Sequence, residues 1–205
     1  MEWIAANAPA LNLAVGPGTL AVWIVYLQLF VTTYRRARRP RVIINRGGGS
    51  DLGALCLVSN MSAEPIYPQS AKCTAHLPAG PVTETITDRE LLSHSGDAAE
   101  APGVTSHGPL ERAGFISLGS FRKLLDITLA GRAETADDVE QAEIMVICAF
   151  GGDDLEIAAT RAFRIDRRAT PADVIPLTPF TRQIFSRRER RQIRQSLIEE
   201  LRDGG

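Results

Sequence analysis

The chain has 205 residues, with 23 Lys and Arg against 24 Asp and Glu and a formal net charge of −1. This near-neutral average hides a division: residues 42–166 carry twice as many acids as bases, while both flanks are rich in arginine. The acidity of that domain, with no aromatics interleaved among the arginines, disfavours a nucleic-acid partner. Its three cysteines, Cys56, Cys73 and Cys148, are an odd count with no CxxC pair, which argues against a disulfide framework or a cysteine zinc site and suits a reducing compartment.

The N-terminal stretch is the most specific feature. No charged residue occurs between Glu2 and Arg35, and the apolar run then meets Arg35-Arg-Ala-Arg-Arg-Pro-Arg41. A bilayer core about 30 Å thick needs about 20 apolar helical residues. Proline is favoured at the first position of a helix, so the spacing predicts a transmembrane helix over residues 17–34, about 27 Å long. Residues 1–16 are then a periplasmic or interfacial segment, with Trp3 to Leu13 lying on the membrane or re-entrant. The alternative is one longer helix from Leu11, kinked at Pro17. Arg35, Arg36, Arg38, Arg39 and Arg41 face only Glu2 across the span, and that asymmetry places the N-terminus outside and the rest of the chain in the cytoplasm. A cleaved signal peptide would carry its positive charge before the apolar run, and here the order is reversed. The heavy preference for arginine (Lys72 and Lys123 are the only lysines) points to a bacterial source, hence a bacterial inner membrane.

After the basic juxtamembrane segment 35–41, residues 42–168 read as one β-domain. Arg41 to Asn45 predicts a first strand, ended by Gly47-Gly-Gly-Ser-Asp51. That loop lacks the Lys-Ser/Thr of a phosphate loop and no helix pattern follows it, so it reads as a turn. Residues 55–59 are a second strand. Over 66–77, Ala71, Cys73, Ala75 and Leu77 alternate with Ser70, Lys72, Thr74 and His76, the signature of a half-buried strand. Pro68 assigns part of it to an edge or a bulge. The two runs are expected to pair as a hairpin, with 82–87 as a further strand. Asn60-Met61-Ser62 matches a glycosylation sequon by chance, given the expected cytoplasmic location.

Residues 88–109 form a long polar loop holding His94 and His107. Ser120 is a suitable N-cap for a short helix whose stripe is Phe121, Leu124, Leu125, Thr128 and Leu129, with Gly131 as its stop. An acidic loop, Glu134 to Asp138, follows. Residues 143–150 are apolar on both faces, as in a central strand. Gly151-Gly-Asp-Asp154 is a turn, with too few acids for a Ca²⁺ loop. The return strand, 155–165, puts Ile157, Ala159, Arg161, Phe163 and Ile165 on one face. Short strands between turn clusters, with one inserted helix, predict a mainly β fold, an immunoglobulin-like β-sandwich.

Residues 169–205 read as a linker and a C-terminal amphipathic helix. Ser186 and Glu189 have capping-box spacing, and Ile193, Leu197, Ile198 and Leu201 share one side. Arg187, Arg188, Arg190 and Arg191 crowd the positive end of the helix dipole while Glu199 and Glu200 sit near its negative end. Each misplacement costs about 0.3–1 kcal/mol. An anionic bilayer attracts each nearby basic residue by about 1 kcal/mol, so these four arginines join Arg35, Arg36, Arg38, Arg39 and Arg41 as expected membrane-surface contacts.

The leading expectation is a single-pass, non-enzymatic interaction, accessory or regulatory module of a membrane complex. Its partners would be the lipid bilayer, anionic lipid headgroups, and another membrane protein or a second copy, the latter helped by the small residues Gly16, Gly18 and Thr19. Nucleic acid, cofactors and metals are not expected. One alternative is a tethered ligand-binding or hydrolytic domain drawing on His76, His94 and His107 with Asp97, Glu100 or Glu111, although no nucleophile elbow, metal pair or phosphate loop accompanies them. Another reverses the topology into a periplasmic binding module in which Cys56 and Cys73 could pair.

Overall fold

The computed structural model describes residues 2–37, 40–86, 109–151 and 156–203. The chain divides into two compact units, Met1–Arg39 and Pro40–Gly205.

The first unit is a single helix, α1 (Glu2–Ala37). Its stretch Val15–Tyr34 is long and apolar enough to cross a membrane, and Leu20, Trp23, Leu27 and Phe30 are all exposed. The helix does not begin at Pro17, as the proline suggested, but runs through Gly16-Pro17-Gly18. Trp3 to Leu13 is therefore helical and continuous with the apolar stretch.

The second unit is mainly β, two antiparallel sheets around one apolar core. The smaller sheet has the order β1 (Val42–Gly47), β2 (Leu55–Asn60), β5 (Phe115–Ser120). The larger runs β4 (Gly80–Ile86), β3 (Ile66–Leu77), β6 (Gln141–Phe150), β7 (Ile157–Asp166), β8 (Asp173–Pro176), with β9 (Arg182–Ile184) also paired to β7. Strand alternation sends Ile44, Cys56 and Val58 of the smaller sheet and Cys73, Ala75, Ile144, Val146 and Phe163 of the larger into that core. Phe121 and Phe163 meet edge to face, with ring centroids 4.8 Å apart.

β6 is central, as its two apolar faces predicted. Pro68 sits where the β3–β6 register shifts and beyond the last β4 partner, Ala71, so it interrupts no ladder on its free side. The expected hairpin of β2 with β3 does not form. β2 pairs with β1 and β5, while β3 pairs with β4 and β6, so the two runs lie in different sheets. β5, β8 and β9 are strands that the sequence pattern did not reveal. The last two arise inside the stretch read as a linker.

α2 (Phe121–Thr128) is the expected short helix. Ser120 Oγ accepts the Lys123 N–H at 3.2 Å, and Phe121, Leu124, Leu125 and Thr128 are buried. The turn after it uses Gly131 at a positive φ of 75°. The glycine loop after β1 is likewise a turn, with Gly48 and Gly49 at positive φ. Asn60 is buried: its amide donates to Leu110 O and Glu64 O, and its Oδ1 accepts the Ser62 N–H, so its sequon is closed to modification in the folded chain.

The sheets are joined by side chains. Val42 N–H donates to Gln183 Oε1 at 3.1 Å and Ile44 N–H to Thr181 Oγ1 at 3.0 Å. Buried Arg161 spans the same seam. Its Nη1 donates to Ile44 O at 2.7 Å and Asn45 Oδ1 at 3.2 Å, and its Nη2 to Thr178 O at 3.1 Å.

Candidate functional site

The register places several elements at one end of the β-unit, called here the proximal end because the chain enters there at Pro40. Arg41 precedes β1, and its carbonyl accepts the Met61 N–H at 2.8 Å just past the end of β2. Ser59 of β2 faces Phe115, the first residue of β5. The turn before Phe115 is held by Asn60, which donates to Gly114 O at 2.9 Å and accepts from Ala113 N–H at 2.8 Å. β9 lies along β1 with Gln183 opposite Val42, so Phe185 and the following helix, α3 (Arg187–Asp203), begin at this end too.

The candidate arginines are therefore not equivalent. Arg41, Arg187, Arg188 and Arg191 are exposed. Arg35 and Arg36 fall in the last turn of α1 with side chains outside the described part, and Arg38 and Arg39 lie outside the described residues. Arg190 is turned inward, 8% exposed, and its Nε donates to Glu156 O at 2.6 Å. This removes Arg190 from the arginines open to an anionic surface, because helical periodicity carries position 190 onto the face that meets the sheet.

One turn on, Arg194, which the sequence did not single out, clasps the Glu156 carboxylate with Nε–Oε2 at 2.9 Å and Nη2–Oε1 at 3.1 Å. Burial pushes the Glu156 carboxyl up, but the Arg194 hydrogen bonds and the charges of Arg194 and Arg190 leave it below the usual carboxylate range. Ile193 and Leu197 of α3 pack on Ile147, Ala158, Ile184 and Met145, the outward apolar residues of the larger sheet. Ile198 stays exposed, and the Leu201 side chain is outside the described part. The C-terminal helix thus covers the outer face of the sheet and leaves a shallow groove of about 310 Å³ lined by Lys72, Met145, Ile147, Gln192, Ile193 and Ser196. Lys72 Nζ donates to Ser196 Oγ at 3.2 Å across it.

The histidine candidates do not come together. His76 is on the outward side of β3, while His94 and His107, with Asp97 and Glu100, lie outside the described residues; Glu111 is exposed. Asp153 and Asp154 also lie outside them. Among the described residues, no three His, Cys, Asp or Glu side chains could hold a metal ion. The three cysteines are free and buried. Burial, with Cys73 adding to it, pushes the Cys56 thiol up, and burial lifts Cys73 to about 11 and Cys148 to about 12. A thiol held protonated this firmly is a core residue rather than a nucleophile.

No protein-family model matches the chain, and no curated protein or solved structure matches it, so its functional reading rests on these residues.

Proposed function

We propose that the chain is a single-pass membrane protein whose β-unit serves as a non-enzymatic interaction or accessory module on the cytoplasmic side of a bacterial inner membrane. The observation that carries this reading is α1. It contains an uncharged run from Trp3 to Tyr34, helical throughout, with exposed apolar side chains and arginines immediately after it. A helix with apolar residues on every side is stable only where its surroundings are equally apolar. The excess of arginine after Tyr34 supports a cytoplasmic β-unit, and the free buried thiols agree with a reducing compartment.

The strand order supports an immunoglobulin-like sandwich. β1-β2-β5 faces β4-β3-β6-β7, an arrangement with the pairing of strands A, B, E and C′, C, F, G. Such a scaffold displays surfaces without requiring catalysis. Carbonate washing of membranes should leave the protein in the pellet, and a reporter fused after Gly205 should be active only as the cytoplasmic type. Capture from mild detergent should then bring down a membrane protein or a second copy. Release by carbonate, or a periplasmic reporter signal, would overturn the reading.

A further inference from the structure

The proximal end of the β-unit carries more than arginines. Met61, Phe115 and Phe185 are 51%, 59% and 52% exposed and come from three separate elements that meet at this end, whereas Phe180, at 74%, stands apart beside the β1 seam. Beside them stand the exposed Arg41, Arg112, Arg187 and Arg188. The rim also carries Glu64 and Glu111, while Glu156 and Glu189 are engaged by Arg194 and Arg182. Apolar tips interleaved with guanidinium groups match the headgroup layer of a bilayer, where carbonyls and acyl ends meet phosphate.

We propose that this rim sits in an anionic bilayer surface, with Met61, Phe115 and Phe185 inserted at the acyl boundary and Arg41, Arg112, Arg187 and Arg188 on lipid phosphates. The inference rests on the anchored reading above and extends it from a tether to a seated domain. The covalent chain leaves α1 at Ala37 and opens the β-unit at Pro40. The tether to a membrane-held α1 therefore starts from this end of the β-unit and not from the glycine-turn end. It also explains the unfavourable placement of arginines in the first turn of α3: β9 sets that turn on the rim, where phosphates supply the counter-charge that the helix dipole does not.

The test uses the full chain in vesicles containing lipids brominated near the acyl boundary, with about a third anionic lipid. In a Trp3→Phe chain, quenching of Trp23, then its one tryptophan, reads the anchor alone. In a Trp3→Phe/Trp23→Phe background, Phe115→Trp and Phe185→Trp report the rim, and Ala130→Trp, after α2 at the opposite end, serves as reference. The rim reporters should be quenched about twofold and blue-shifted, the reference unaffected, and Arg112→Gln/Arg187→Gln/Arg188→Gln should return them to the reference value. Trp23 quenched with the rim reporters unquenched overturns this inference and leaves the anchor standing. Trp23 unquenched overturns the anchor itself. Equal rim quenching in zwitterionic lipid overturns the role of the arginines. Should a reporter variant fail to fold, amide exchange of the native chain decides: slower exchange at 112–116 and 185–188 in anionic than in zwitterionic nanodiscs supports seating, and equal exchange refutes it.

Discussion

Replacing Arg161 should loosen the seam between the two sheets more than any exposed substitution. Its guanidinium is buried and bonded to Ile44 O, Asn45 Oδ1 and Thr178 O, with Pro179 O at 3.4 Å, and it lies 5.6 Å from the Phe163 ring centroid. In Arg161→Ala, Ile44 O keeps the Thr181 hydroxyl as a donor and the exposed Asn45 can turn to water. Thr178 and Pro179 are exposed too, so their carbonyls can also turn to water, and what is lost is the hydrogen bonding of the buried charged guanidinium, about 3 kcal/mol in total. For a unit of this size each kcal/mol moves Tm by about 2–4 °C, so a fall of about 10 °C is expected by circular dichroism in detergent. Arg161→Met should fall less, because it removes the buried charge as alanine does but keeps apolar volume in the seam where alanine leaves a cavity. Arg161→Lys should fall more than Arg161→Met, since one ammonium cannot reach both sides of the seam. Exchange at the amides around 177–181 should rise in all three. A Tm for Arg161→Ala within about 1 °C of the parent, or an Arg161→Lys variant as stable as the parent, would refute this account.

The clasp of Glu156 by Arg194 predicts an acid limb. A carboxyl held below its unfolded pKa stabilises above the unfolded value of about 4.3 and loses that contribution as pH falls through the folded value. Protection of the α3 amides should therefore drop as pH falls below about 4, and Glu156→Gln should be weakly protected at every pH. The thiols predict silence: Cys56, Cys73 and Cys148 should resist a maleimide at neutral pH until denaturant opens the core, and fast native labelling would contradict their burial. Phe121→Ala, at the edge-to-face contact with Phe163, should cost about 3–5 kcal/mol of unfolding free energy measured by urea titration, against under about 0.5 kcal/mol for an exposed change such as Arg122→Ala.

Much of the β-unit was legible because its strongest elements obey one period. β3 alternates cleanly over Ala71 to Leu77, β6 is apolar on both faces, and α2 has a cap, a stripe and a stop. What escaped had little pattern to offer. β5 alternates over only four residues before Gly119, and β8 and β9 have four and three residues near prolines. The pairing of β2 was misjudged because an apolar run indicates burial but not the sheet that receives it. The same limit applies to α3: its apolar side was readable, but that Arg190 and Arg194 would turn onto Glu156 depends on a sheet edge many residues away. Arg161 left a usable signal, one charge on the apolar face of β7. A buried arginine at such a position implies carbonyls waiting for it.

The borrowed side chains along β1 have a consequence for crowding in two dimensions. Backbone donors at the rim of a sheet invite a neighbouring molecule to extend the ladder, and under the proposed anchoring the chain would meet its copies at high effective density. With the Val42 and Ile44 amides already occupied by Gln183 and Thr181 of the same chain, that margin is closed to strand addition. Copies of the β-unit therefore cannot pair through this edge without first displacing those two side chains.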